Sequence, residues 1–137
     1  MEMNKTVFFV DDEKNVLNSV KRLFRNSDLD IFVFQSPFEM FKCASEHSPA
    51  VVVSDYRMPE MSGVELLEKI SILFPSSIRI ILSAFTDIAI TESAINKSIV
   101  NLFISKPWDE DELLSEVENA VKIFNSPEDK KTGYGVF

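Results

Sequence analysis

Aspartates, a serine and a lysine in this sequence stand at or just past short apolar runs. Asp11-Asp12 follows Val7-Phe8-Phe9-Val10, Asp55 closes the run begun by Val51-Val52-Val53, Ser83 follows Ile78-Arg79-Ile80-Ile81-Leu82, and Ser105-Lys106-Pro107 follows Leu102-Phe103-Ile104. If one fold gathers these run ends, three carboxylates repel one another. An oxygen-rich cluster of that kind is stabilised by a hard cation, and Mg²⁺ with retained waters is the best match. The lysine and the hydroxyl complete the set. A carboxylate nucleophile, a metal that neutralises developing charge, and a cation plus a hydrogen-bond donor for the remaining oxygens are the equipment of phosphoryl transfer.

Each of these residues also has a plainer reading. Taken alone, Asp11-Asp12 reads equally well as a helix cap, and it is the company of Asp55 and Lys106 that favours metal binding. Asp55 can cap the turn into Met58-Pro59, yet at the end of an apolar run it holds its charge near a core, a cost that favours a functional role. Pro107 restricts Lys106 to extended backbone and so helps aim its side chain. Ser83 is informative only by position, since serine is frequent in turns. Phe103 is one of 12 phenylalanines and is core by default. His47 reads as a surface residue and Cys43 as helix packing, while Trp108 reads as either a surface anchor or packing. Glu110-Asp111-Glu112 reads as a first helical turn favoured by the helix dipole rather than as a second metal site.

The elements that must position these residues follow from periodicity. The four runs, with Ile31-Phe32-Val33-Phe34, are rich in Val, Ile and Phe, and several lack polar alternation. Such runs predict strands buried on both faces, as in a parallel sheet covered by helices. Between them, Val16, Leu17, Val20, Leu23 and Phe24 share one helical face, as do Leu66, Leu67, Ile70, Leu73 and Phe74. Leu113, Leu114, Val117, Ala120, Val121 and Phe124 form the stripe of a final helix. Ser36-Pro37-Phe38-Glu39 supplies a cap, a proline for the first helical position and a glutamate placed for a capping box, and Asp109 with Glu112 suggests a similar start. From Thr86 to Ile95 the stripe of Ile88, Ala89, Ile90, Ala94 and Ile95 is loose, and weak packing there would permit movement. Alternating strands and helices imply βαβ units and an open α/β sheet, whose functional crevice lies beyond the carboxyl ends of the strands.

A chain of 137 residues with 45% hydrophobic and 26% charged residues is the size and composition of one globular domain. No apolar run approaches a membrane span, there is no signal-peptide pattern, and Cys43 is the only cysteine, so a soluble, cytoplasmic protein is expected. With 14 Lys plus Arg against 22 Asp plus Glu, the net charge of -8 argues against direct nucleic acid binding, which would fall to another domain. After Phe124 the sequence turns polar, and 125–137 is expected to be a tail or the start of a linker.

These residues resemble the receiver domains of bacterial two-component response regulators. The match runs from about Lys5 to Phe124 and rests on Val10-Asp11-Asp12-Glu13, Ser54-Asp55-Tyr56-Arg57-Met58-Pro59-Glu60-Met61-Ser62-Gly63, Leu82-Ser83-Ala84 and Phe103-Ile104-Ser105-Lys106-Pro107. The resemblance implies a flavodoxin-like sheet of order 2-1-3-4-5 with five alternating helices, the receiver domain occupying 1–124. It implies Asp55 as phosphoacceptor, Asp11, Asp12, Asp55 and the Arg57 backbone carbonyl as Mg²⁺ ligands, and Ser83, the Ala84 backbone N–H and Lys106 as phosphoryl-binding groups. Ser83 and Phe103 fall at the switch positions, although Phe103 lacks the hydroxyl of the tyrosine found in many members. The loop 94–101 lacks the glycine of many members, and Lys106-Pro107-Trp108 resembles a subset with varied output domains.

The implied function is a signalling switch rather than an enzyme that turns over substrate. A histidine kinase, phosphotransfer protein or small phosphodonor would phosphorylate Asp55, and the domain would assist its own phosphorylation and dephosphorylation. The surface of the fourth helix, fifth strand and fifth helix would change, controlling an output domain, a downstream protein or a homodimer. Competing readings are a pseudo-receiver regulated by contact alone, although no acidic or lysine position is missing, and a phosphatase with an aspartyl-phosphate intermediate, for which no cap is evident. A flavin carrier would need a hydroxyl- and glycine-rich phosphate loop that this sequence lacks.

Overall fold

A computed structural model describes residues 3–126. The predicted tail from 127 onward lies outside the described residues. In chain order the elements are β1 (Thr6–Val10), α1 (Lys14–Leu23), β2 (Asp30–Phe34), α2 (Pro37–His47), β3 (Val51–Asp55), α3 (Gly63–Leu73) and β4 (Ile78–Ser83). A 3-10 turn (Phe85–Asp87), α4 (Ile88–Asn96), β5 (Leu102–Ser105) and α5 (Glu110–Phe124) follow. The strands form one parallel sheet in the order β2-β1-β3-β4-β5, the flavodoxin-like arrangement expected.

Strand alternation divides the core into two layers. Val7, Phe9, Val51, Val53, Ile80, Leu82 and Ile104 meet Leu17 and Val20 of α1 and Leu113, Val117 and Val121 of α5. Phe8, Val10, Val52, Ile81 and Phe103 meet Met40 of α2, Leu66, Leu67 and Ile70 of α3, and Ala94 of α4. Every residue of β3 and β4 is buried, which is why those runs show no polar alternation. Trp108 packs partly buried against the α1/α5 layer, deciding the reading left open from sequence.

The helix starts follow local chemistry, with small departures. Ser62 and Glu65 form a full capping box at α3. At α2, Ser36 Oγ accepts from Phe38 N at 3.2 Å, so the cap bond stops one residue short of the expected Glu39 box. At α5, Asp109 accepts from Asp111 N at 3.1 Å, and Glu110, Asp111 and Glu112 fill the first turn, where the dipole favours them. The loose stripe of α4 resolves differently from expectation. Thr91 and Ala94 turn inward while Ala89 and Ile90 face solvent, and Thr91 replaces an apolar contact with a hydroxyl that donates to the Asp87 carbonyl at 3.1 Å. The end of α5 is tied down, because Asn125 Oδ1 accepts from Asn4 N and its amide donates to the Asn4 carbonyl, both at 3.0 Å.

Candidate functional site

Parallel pairing brings the chemically equipped run ends to one edge of the sheet. Val10 is level with Ser54, Asp55 with Leu82, and Ser83 with Ser105. The ladder continues one rung past each strand, with Asp11 N donating to Phe34 O at 3.0 Å, Tyr56 N to Leu82 O at 2.9 Å and Lys106 N to Ser83 O at 2.9 Å. The backbone of each site residue is therefore held by the sheet itself.

Lys106 Nζ lies 2.7 Å from Asp55 Oδ1 and 3.4 Å from Asp11 Oδ2. Asp11, Asp12 and Asp55 each offer a carboxylate oxygen, and the three oxygens lie within 4.8 Å of one another. Asp11 and Asp55 are buried and Asp12 is exposed, so the cluster opens to water on one side. An all-oxygen donor set with an open flank suits a hard divalent cation that keeps part of its hydration shell. Asp11 Oδ1 also accepts from Glu13 N at 2.9 Å, a local turn ahead of α1, whose N-cap position is Glu13 and carries no side-chain cap bond, so the expected cap at Asp11-Asp12 does not form.

The electrostatics are those of a site built for added positive charge. Burial, outweighing the backbone hydrogen bond from Glu13 and the nearby Lys106 charge, pushes the Asp11 carboxyl up to about 6. Burial raises Asp55 too, against the opposing hydrogen bond and charge of Lys106. Burial works against the Lys106 charge, but its hydrogen bond to Asp55 and the charges of Asp11 and Asp55 hold the ammonium above its usual value. One lysine does not neutralise two buried carboxylates.

Gly63 packs against the backbone of Asp55 and Tyr56. It donates from its N–H to the Tyr56 carbonyl at 2.8 Å, and a Cβ placed on it would overlap the Asp55 carbonyl oxygen. Alanine at a helix position is ordinarily worth about 1 kcal/mol over glycine, but here the obstacle is backbone that cannot swing aside. Gly63→Ala is expected to destabilise the fold by about 1–3 kcal/mol and to slow chemistry at Asp55. Thermal melting and phosphoryl uptake both equal to wild type would contradict this.

The remaining expected residues occupy varied positions. Ser83 is 2% exposed and Ala84, which follows it, faces solvent. Arg57 lies in the loop between β3 and α3, and the Lys106-Pro107 peptide is cis. Phe103, at the other switch position, has its ring inside the fold, at 0% exposure beside Ile81 of β4. His47 is exposed, with its ring 4.7 Å from that of Phe32.

A scan against family models matches the response regulator receiver domain over residues 7–118. The chain belongs to the receiver domain family. Among curated relatives, the hydrogenase transcriptional regulatory protein HoxA of Bradyrhizobium diazoefficiens is 26% identical over 96% of this chain and 27% of its own length. The DNA-binding transcriptional regulator NtrC of Escherichia coli K12 is 30% identical over 84% of this chain and 24% of its own length. This receiver domain therefore spans about a quarter of those regulators. Among solved structures, the N-terminal signal receiver domain of a two-component response regulator from Bacteroides fragilis superposes with TM-score 0.78 at 28% identity, covering 85% of this chain and 95% of that one. A receiver domain protein from Clostridium thermocellum gives TM-score 0.78 at 26% identity, covering 85% and 94%.

Two features of this receiver domain escaped the sequence reading. The Arg57 side chain reaches across to Asp87, with Nε to Oδ2 at 3.1 Å and Nη2 to Oδ1 at 2.7 Å, and Asp87 is only 5% exposed. Arg79, 5% exposed in the middle of an apolar run, donates to the carbonyls of Ile99 at 2.7 Å, Ser77 at 2.8 Å and Ser98 at 2.9 Å. It thereby fastens the α4–β5 loop to the start of β4. The signal for Arg79 was present as a charge inside the run 78–82, whereas nothing local marked Asp87.

Proposed function

We propose that this receiver domain is a phosphorylation-dependent switch whose Asp55 accepts a phosphoryl group from a histidine kinase, a phosphotransfer protein or a small phosphodonor. The observation that carries the reading is the 2.7 Å pairing of Lys106 Nζ with Asp55 Oδ1 inside a three-carboxylate cluster at the sheet edge. A carboxylate oxygen of Asp55 attacks phosphorus, the bond from phosphorus to the donor breaks, and the donor leaves with the electron pair. Lys106 passes from the carboxylate it now holds to a phosphoryl oxygen, while the Ser83 hydroxyl and the Ala84 N–H take up others. Asp11, Asp12, Asp55 and the Arg57 carbonyl are the groups that would hold Mg²⁺, which supplies positive charge to the phosphoryl oxygens when bound.

The domain acts as an acceptor that assists its own phosphorylation and dephosphorylation, not as a turnover enzyme. Phosphorylation changes the α4-β5-α5 surface and so controls an output domain, a downstream protein or a homodimer. The many-fold longer regulators among its relatives support an output elsewhere in the pathway or chain. Among the described residues no helix is long and apolar enough to cross a membrane, which agrees with action in the cytoplasm. An acyl phosphate is cleaved by hydroxylamine whereas a serine phosphate survives it. Hydroxylamine-labile label mapping to the Asp55 peptide supports the reading, and stable label at any serine or threonine contradicts it.

A further inference from the structure

The proposed chemistry asks the Ser83 hydroxyl to bind a phosphoryl oxygen, yet in this structure that hydroxyl is engaged elsewhere. Ser83 Oγ lies 3.3 Å from Asp87 Oδ2 and 3.4 Å from the Ala84 carbonyl. A hydroxyl has one proton to donate, and the ionised carboxylate is the stronger acceptor. Ser83 is 2% exposed, so water offers its proton no alternative.

Asp87 is itself held in place. The guanidinium of Arg57 grips both of its oxygens in a forked arrangement, which fixes the plane of the carboxylate. Arg57 stands two positions after the acceptor aspartate, and Asp87 is the residue from which α4 starts. The same three side chains therefore join the acceptor loop, the phosphoryl-binding hydroxyl and the entry of α4. The Ser83 backbone is held in the ladder through Lys106, so the exchange of Asp87 for a phosphoryl group falls to the Ser83 side chain rather than to its backbone.

We propose that Asp87, clamped by Arg57, is a positioning residue that withholds the Ser83 hydroxyl from the phosphoryl site until a phosphoryl group competes for it. Occupation of the site takes the hydroxyl from Asp87 and unloads the joint at the start of α4. Only Thr91 and Ala94 of that helix are fully buried, with Ile88 and Ile95 packed partly buried beside them. The inference rests on Asp55 being the acceptor.

The test uses beryllofluoride with Mg²⁺, a non-covalent phosphoryl mimic, titrated by calorimetry and by the fluorescence of Trp108, the sole tryptophan. Asp87→Asn keeps the side chain's shape and one acceptor oxygen but removes its charge and the two-oxygen fork to Arg57, and Asp87→Ala removes the acceptor altogether. Either is expected to tighten beryllofluoride binding about five- to tenfold, the lower range of coupling between sites. In a Ser83→Ala background the same substitutions are expected to change nothing, since no hydroxyl remains to be withheld. Unchanged or weaker binding in the Ser83 protein overturns the proposal. Equal tightening in both backgrounds also overturns it, because loss of a nearby negative charge would then explain the gain. A wild-type protein that binds no beryllofluoride and takes no phosphoryl group would instead sink the acceptor reading itself.

Discussion

Lys106→Met is expected to cut phosphoryl uptake from acetyl phosphate about 10²–10³-fold while Mg²⁺ binding stays equal or becomes tighter. The two directions come from one geometry. The ammonium sits 2.7 Å from Asp55 Oδ1, so it is placed to meet charge that develops on a transferring phosphoryl group, and methionine cannot supply that charge. In the resting site, however, the same ammonium would compete with a metal ion for Asp55 and Asp11, and its removal would leave both carboxylates to that ion. Methionine preserves the length and the apolar stem, which limits packing loss. Global unfolding would depress both measurements together. Loss of Mg²⁺ affinity alongside uptake, in a variant that melts normally, would show that Lys106 builds the metal site rather than opposing it.

A second large effect concerns pH. Burial lifts the Asp11 carboxyl from 3.8 to about 6, so the native state keeps its proton after the unfolded chain has lost it. The stability attached to the neutral carboxyl is complete below about 4 and is lost as pH rises to about 6, at most about 3 kcal/mol from this group. Asp55, raised for the same reason, adds in the same sense. Asp87 and Asp28, held below the usual carboxylate value by hydrogen bonds from Arg57 and Lys5, have finished ionising by pH 5 and do not mask the trend. Metal binding requires the ionised cluster. The protein in chelator is therefore expected to melt several degrees lower at pH 7.5 than at pH 5, and Mg²⁺ to restore far more at pH 7.5. Glu116 on α5, raised by its burial, contributes to the first trend, but it lies outside the cluster, so the Mg²⁺ increment isolates the site. A Mg²⁺ increment equal at the two pH values would contradict this account.

What the sequence disclosed was whatever is written in local pattern. The strands were legible because β3 and β4 are buried along their whole length, which leaves an apolar run with no alternation to confuse it. The site was legible because the sheet places its chemistry at strand ends, so Asp11, Asp55, Ser83 and Lys106 each follow a recognisable run. Strand order came only from the family resemblance, since periodicity is blind to which strands pair. The α4 face was misjudged because Thr91, a polar type, takes an inward position by bonding to its own helix. The Arg57–Asp87 pair spans 30 positions, and neither residue breaks a pattern where it stands, so only the folded chain shows that they meet. Arg79 was readable in principle, as a charge in a buried strand demands partners, but those partners are carbonyls and carbonyls leave no mark in sequence.

The central claim is that Asp55 is the acceptor and that the acidic cluster around it works with a divalent cation. Intact mass after incubation with acetyl phosphate and Mg²⁺ tests it most directly, with the wild-type chain compared against Asp55→Asn and against wild type in chelator. The account predicts one added phosphoryl group on the wild type with Mg²⁺ and none in either control. An adduct of the same size on Asp55→Asn, or one formed equally well in chelator, would contradict it.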